Sequence, residues 1–314
     1  MRTGRARSDE RRRRGWLPPL PSGLWGRVGL ALLGLVLLVA LYAVSLYFWG
    51  DSRLRHTDAF DTYAGAPRAD PGADWLLVGI DAIMVLHYGD SGPYLVSIPG
   101  DSYVSIPGHG KNKINAAYAL GGAKLLTRTV EQATGLRLDH YAETDFLGLV
   151  HMVDSLGGVT VCVPAGGLRD AGADFAAGCQ HMNGARAVAY VRVRDAGPAG
   201  DLRRVKRQRQ VVSAVARKGA SVSVLLPPWR LIPFLGAVDD ALTVDDGTGV
   251  RDLARMGLAL KNRAGGAGAA TTVPVGPERG VPGVGEVVEW DRTKAEQLFS
   301  ALRDDAAIPA SDLK

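Results

Sequence analysis

Cysteine is scarce in this 314-residue chain, and its scarcity removes one class of chemistry. Cys162 and Cys179 are the only two, and the six histidines (His56, His87, His109, His140, His151, His181) are scattered, so no zinc-ligand spacing exists. Acidic groups are nearly missing from the first 49 residues, where Asp9 and Glu10 stand against eight arginines. Charge of either sign is missing from the 22 residues Val28 to Trp49. From residue 50 onward the imbalance vanishes, with 29 basic against 30 acidic groups, so the pI of 9.3 belongs to the tail. A uniformly basic nucleic-acid-binding domain is thereby excluded, and the 27-residue tail has no helix-turn-helix pattern. No internal repeat is present.

What is there begins with that uncharged run, which is long enough to cross a bilayer. Arginine-rich flanks stay on the cytoplasmic side, and Trp25, Tyr42, Tyr47 and Trp49 lie near the ends, where amphipathic aromatics prefer the interface. The expected order is a basic cytoplasmic tail (1–27), a transmembrane helix (28–49), a polar stalk (50–73), an external domain (74–305) and a short tail (306–314). A cleaved signal peptide is the competing reading, but its apolar region is normally about 7–15 residues. The two cysteines suit an oxidising compartment. Cys162 follows the strand-like Val159, Val161, Val163 pattern, and a bridge to Cys179 would contribute about 2–4 kcal/mol. Two buried free thiols are the alternative.

From Trp75 the pattern is that of a mixed α/β domain. Trp75–Ile80, Ile83–His87 and Tyr94–Ile98 read as strands, the last two joined by Gly89-Asp90-Ser91-Gly92-Pro93. Leu125, Leu126, Thr129, Val130 and Ala133 predict a helix ended by Gly135. Phe146, Leu149, Val150, Val153 and Leu156 predict another, stopped by Gly157-Gly158. Asp201 is placed to cap a third, running to about Lys218, and Trp290 to Asp305 reads as a closing helix.

Six arginines (Arg192, Arg194, Arg203, Arg204, Arg207, Arg209) and Lys206 fall between Tyr190 and Arg209. Guanidinium groups form a fixed fork of donors that matches phosphate oxygens, and outside a cell the obvious phosphorylated substrates are lipid-linked. On the third helix Arg204, Arg207 and Gln208 share one face, while Leu202, Val205, Val212 and Val215 point to the core. Arg192 and Arg194 share a face only if their segment is extended. A solvated arginine-rich face is the plainer reading.

Three blocks carry a family resemblance: Val96 to Gly122 (VSIPGDSYVSIPGHGKNKINAAYALGG), Asp139 to Pro164 (DHYAETDFLGLVHMVDSLGGVTVCVP) and Tyr190 to Gln210 (YVRVRDAGPAGDLRRVKRQRQ). Together they resemble the LytR-CpsA-Psr family, in the form found in actinobacteria. The resemblance implies a single-pass membrane protein with an external three-layer α-β-α domain around a mixed sheet. It also implies transfer of a glycopolymer from polyprenyl pyrophosphate to peptidoglycan, aided by Mg²⁺, with no nucleic-acid partner. By motif position Arg192, Arg194, Arg204 and Arg207 would be catalytic and, with Gln208 and Lys113, would hold the pyrophosphate. Lys113 and Asn115 are equally suited to a structural role, and Phe146 to core packing rather than a lipid pocket.

The chain also departs from the family pattern. An Asp after the first strand is usually followed by a long loop and an Arg-x-Asp pair, whereas Gly79-Ile80-Asp81-Ala82-Ile83 runs straight through. Asp81 would then be the one carboxylate left for the metal, which carboxylates, waters and substrate phosphates can hold together. The usual Pro-Arg-Asp is Pro99-Gly100-Asp101 here. Two readings follow, an impaired phosphotransferase or a non-catalytic paralogue that grips polyprenyl pyrophosphate or wall polymer. If the first two strands fuse into one long run, sheet pairing there changes.

Overall fold

The computed structural model describes residues 24–79, 82–170, 173–193, 200–264 and 268–308. Two compact units are distinguished, 1–48 and 49–314. The first holds most of α1 (Leu24–Asp51), whose 26 residues Gly26–Asp51 are long and apolar enough to cross a membrane by length and composition.

The second unit is built on seven strands. These are β1 (Arg55–Thr57), β2 (Ala73–Gly79), β3 (Ala82–Tyr88), β4 (Tyr94–Ile98), β7 (His140–Thr144), β12 (Leu242–Asp245) and β13 (Ala269–Thr272). Between β4 and β7 lie a hairpin, β5 (Tyr103–Ile106) with β6 (Gly110–Lys113), and helix α2 (Ala116–Thr134). Between β7 and β12 come α3 (Phe146–Ser155), β8 (Val159–Val163), β9 (Leu168–Asp170), β10 (Ala173–Phe175), β11 (Gly178–Met182), α4 (Gly184–Arg192), α5 (Gly200–Gly219), α6 (Val222–Leu225) and α7 (Pro228–Ala241). Helix α8 (Val250–Ala264) precedes β13; a hairpin of β14 (Val275–Val281) and β15 (Gly285–Trp290) and helix α9 (Arg292–Arg303) follow it.

The sheet runs β1-β12-β7-β2-β3-β4-β13 and is mixed, with β2 parallel to β7, β4 parallel to β13 and β2 antiparallel to β3. Period-two alternation sends Leu76, Ile83, Val85, Val96 and Ile98 to one face, against Leu126 and Val130 of α2 and Leu298 and Phe299 of α9. Trp75, Met84, Leu86 and Leu95 go to the other, against Ala259 and Leu260 of α8 and Val212 of α5. This is the three-layer arrangement expected from the sequence. A further apolar cluster joins α3, α4, α5, β8 and β11. Across that two-stranded sheet Cys162 faces Cys179 directly, and the two are disulfide-bonded.

Some local expectations change. The strands expected around Ile80 do not merge into one run: β2 and β3 form an antiparallel pair in continuous register to Gly79 opposite Ala82, joined by two residues. Residues 50–73, read as a stalk, carry an edge strand of the main sheet, and Leu54 and Ala59 are buried. Hydrogen bonds to a distant strand, invisible to local polarity, draw this segment in. Helix α2 starts earlier than expected and bends at Gly121-Gly122, then ends at Gly135, whose φ of 70° is the left-handed cap that glycine adopts without strain. Helix α5 begins at Gly200, so Asp201 lies within its first turn.

Candidate functional site

The parallel strands β2 and β7 end beside each other, and there a cavity of about 520 Å³ opens. Val78 and Gly79 end β2, Glu143 and Thr144 end β7, and Ala82 and Ile83 begin β3. Asn115 and Ala116 supply the start of α2, and Asp145 the N-cap of α3, its carboxylate accepting from Gly148 N at 2.6 Å. Arg55 from β1 and Asp240 from α7 complete the charged lining. A crevice at the carboxyl ends of parallel strands is where open α/β sheets bind ligands, because strand ends and helix N-termini leave backbone donors there.

Its electrostatics are mixed. The Glu143 carboxylate accepts from Tyr118 Oη at 2.9 Å and from Tyr141 Oη at 2.5 Å, and burial with that anionic partner pushes both phenols up. Asp240 lies 3.7 Å from Arg53. Its neighbour Asp239 is buried, with Oδ2 meeting no hydrogen-bond partner, and burial raises its carboxyl to about 6. Among the described residues no group of three or more His, Cys, Asp or Glu side chains forms a metal cage. A Mg²⁺ ion that keeps its waters and leans on substrate phosphates requires only one or two carboxylates, so the oxygen donors here remain compatible with it.

The residues singled out by sequence fall in several places. Asp81 and Arg194 lie outside the described residues; Gly79 and Ala82, which flank the Ile80-Asp81 link, line the cavity. Arg192 ends α4 with an exposed side chain, its guanidinium carbon 4.7 Å from the ring centre of Phe146, the first residue of α3. This cation–π contact holds Arg192 on Phe146, the residue after the cavity-lining Asp145; Arg192 is not itself among the lining residues. Phe146 is thus half-buried under an arginine, and is absent from the apolar cluster that takes Val153 and Leu156. Arg207 is buried, and its Nη2 donates to the Val193 carbonyl, tying α5 to the end of α4. Gln208 is also buried, with Oε1 unpartnered, and Arg204 is half-buried. Helix α5 is covered on more of its circumference than its charge suggests, because Val211 and Ala214 join one cluster while Val212 and Ala216 join another. Arg209 is buried near Arg263, and burial chiefly, with that like charge, lowers it to about 10. Lys113 binds Asp101 at 2.7 Å.

Sequence reasoning passed over Arg55, Tyr118, Glu143 and Asp240. Glu143 sits inside a quoted block, where its charge directly after the apolar Tyr141-Ala142 pair was a usable signal. Arg55 had none, since the segment around it is polar apart from Leu54 and its strand pairs with residues 243–245.

The profile of the LytR_cpsA_psr family matches residues 79–304. The probable cell wall biosynthesis protein LcpB of Corynebacterium glutamicum is 42% identical over 94% of this chain and 75% of its own length. The polyisoprenyl-teichoic acid–peptidoglycan teichoic acid transferase TagU of Bacillus cereus is 41% identical over 46% of this chain, the match spanning 48% of TagU. A solved LytR-Csp2A-Psr enzyme from Actinomyces oris superposes with a TM-score of 0.65 at 24% identity, covering 80% of this chain and 96% of that one, which bears on the fold alone.

Proposed function

The chain belongs to the LytR-CpsA-Psr family, and on that premise we propose that it transfers a cell-wall glycopolymer from a polyprenyl-pyrophosphate carrier to peptidoglycan. The observation that carries this reading is the cavity at the ends of β2 and β7, with Arg55 and Asn115 in its lining and Arg192 stacked on Phe146, the residue after the cavity-lining Asp145. In the reaction a peptidoglycan hydroxyl bonds to the glycan-side phosphorus, its proton passes to a base, and the bridging P–O bond breaks to release polyprenyl phosphate. Negative charge grows on the leaving phosphate, and cationic donors stabilise it. Arg192, Arg194, Arg204 and Arg207, with Gln208 and Lys113, serve the pyrophosphate, Arg207 also acting through its grip on Val193. Asp81 is the carboxylate available to Mg²⁺, which when bound neutralises phosphate charge. The N-terminus is cytoplasmic and the α/β domain external, as the arginine-rich tail requires.

The two-residue link between β2 and β3 is a shortened form of a longer family loop. With Gly100 in place of the usual arginine, it leaves the enzyme slower than relatives that keep both. A binding paralogue is the second reading, favoured by one observation: Glu143, Asp145 and Asp240 are already engaged by neighbours. The deciding assay uses the full chain in lipid nanodiscs with a short-chain polyprenyl-pyrophosphate saccharide, with and without Mg²⁺. Asp81→Ala and Arg192→Ala are the informative variants, since Arg192 is exposed and its loss spares the fold. Metal-dependent release of polyprenyl phosphate, abolished in both, supports the transferase. Saccharide binding without turnover at any Mg²⁺ concentration overturns it in favour of the paralogue.

A further inference from the structure

Twenty consecutive residues, Gly219 to Val238, contain a single charged side chain, Arg230, yet much of this segment faces outward. Val222 and Leu225 of α6, Leu226 just after it, and Trp229 and Ile232 of α7 are 66, 45, 74, 76 and 40% exposed. A protein surface in water rarely leaves such a contiguous apolar group uncovered. The inner side is well packed: Val224 is buried, and Phe234 meets the apolar cluster beneath. The outward residues are therefore a second, separate face.

Its surroundings identify the cover. A Cβ added at Gly236 of α7 would lie 3.7 Å from the Trp49 indole, and Arg53 spans Trp49 (5.2 Å) and Asp240 of α7 (3.7 Å). Trp49 is the last residue of the uncharged 22-residue run, so α7 is held at the point where the chain leaves that run. The face has the composition of an interfacial helix, with Trp and Leu outward, one arginine for lipid phosphate and no acidic group from 219 to 238. We propose that Val222, Leu225, Leu226, Trp229 and Ile232 form a lipid-surface docking face, seated in the headgroup region of a bilayer without spanning it. Helix α7, 14 residues and about 21 Å long, gives Asp240 and Ala241 to the cavity at its other end. Docking thus presents the cavity to molecules carried in the membrane.

The test places one spin label at a time on the full chain in nanodiscs of phosphatidylcholine and phosphatidylglycerol, through Leu226→Cys, Trp229→Cys or, as a solvent-facing control, Glu286→Cys. The native cysteines are paired and take no label. Oxygen, which partitions into lipid, relaxes positions 226 and 229 more than a water-soluble nickel chelate does, at a depth of about 5–10 Å; position 286 shows the reverse. Labels at 226 and 229 that behave like 286 overturn the proposal. So does protection from both reagents that grows with protein-to-lipid ratio, which marks a second copy of the chain as the occupant. Neither readout uses turnover, so the outcome is separable from that of the transferase assay.

Discussion

The paired strands β2 and β3 have two very different ends. At one, Asp74 Oδ1 meets His87 Nδ1 at 3.1 Å, and His87 Nε2 meets Asp305 at 3.3 Å. Asp305 also accepts from Asp90 N, Ser91 N and Ser91 Oγ at 2.6, 3.0 and 2.6 Å, clamping the turn after α9 onto the β3–β4 link. Gly89 permits this approach, since a Cβ there would run into the carboxylate. Burial pulls His87 down, but its bonds to two carboxylates outweigh that and raise it above its ordinary value. At the other end the same strands open on the cavity, and Asp239 nearby keeps a buried oxygen without a partner. One end gathers its polar groups into a mutual network that holds the fold; at the other, Glu143, Asp145 and Asp240 meet neighbours around an open cavity. Burial does not separate them, because both Asp74 and Asp239 are almost wholly enclosed and each has its Oδ2 without a partner; the difference is the His87 ring that meets Asp74 Oδ1.

Breaking the closed end has the largest expected effect. Asp74→Ala strands His87 without its nearer partner and costs about 3–5 kcal/mol in urea unfolding of the nanodisc-embedded chain. A loss below about 1 kcal/mol would mean that the two ends do not differ as described. Smaller, and opposite in sign between the ends, are the pH responses. Burial raises Asp305, but its bonds to Ser91, Asp90 and His87 outweigh this and bring it to about 2, below its ordinary 3.8. Its stabilisation is therefore complete above about pH 4 and is lost as pH falls toward 2. Asp239, raised to about 6 from 3.8, favours the unfolded chain once ionised, so its contribution declines from about pH 4 to 6 and stays low above. Asp239→Asn then raises the melting temperature at pH 8, by about 1–2 kcal/mol of stability, and leaves it unchanged at pH 4. Asp305→Asn flattens the acid limb instead. The smallest structural effect belongs to Gly100→Arg at the open end. Its backbone is not left-handed, and a Cβ meets only the Asn115 side chain at 3.4 Å, so stability moves within about 0.5 kcal/mol. Turnover in the saccharide assay rises severalfold if the missing arginine limits the reaction, and stays level if the link between β2 and β3 does.

The sequence by itself determined what depends on neighbours along the chain. The uncharged run of α1, the apolar runs of β3 and β4, the cap at Gly135 and the apolar stripe of α3 are local patterns, and each appears as an element near its expected bounds. The arginine cluster was legible as a composition, but not in its disposition: whether Arg192 faces solvent and Arg207 the core depends on where two apolar clusters close around α4 and α5. Only the tertiary structure brought Arg55 to the cavity, through pairing with a strand almost 190 residues away, and Asp305 to His87 across 218 positions. Polar residues carry no periodic signal of their partners. Their roles are fixed when sheet order and helix packing bring distant backbone and side-chain groups within hydrogen-bonding distance, where an unmet group would cost about 1–3 kcal/mol.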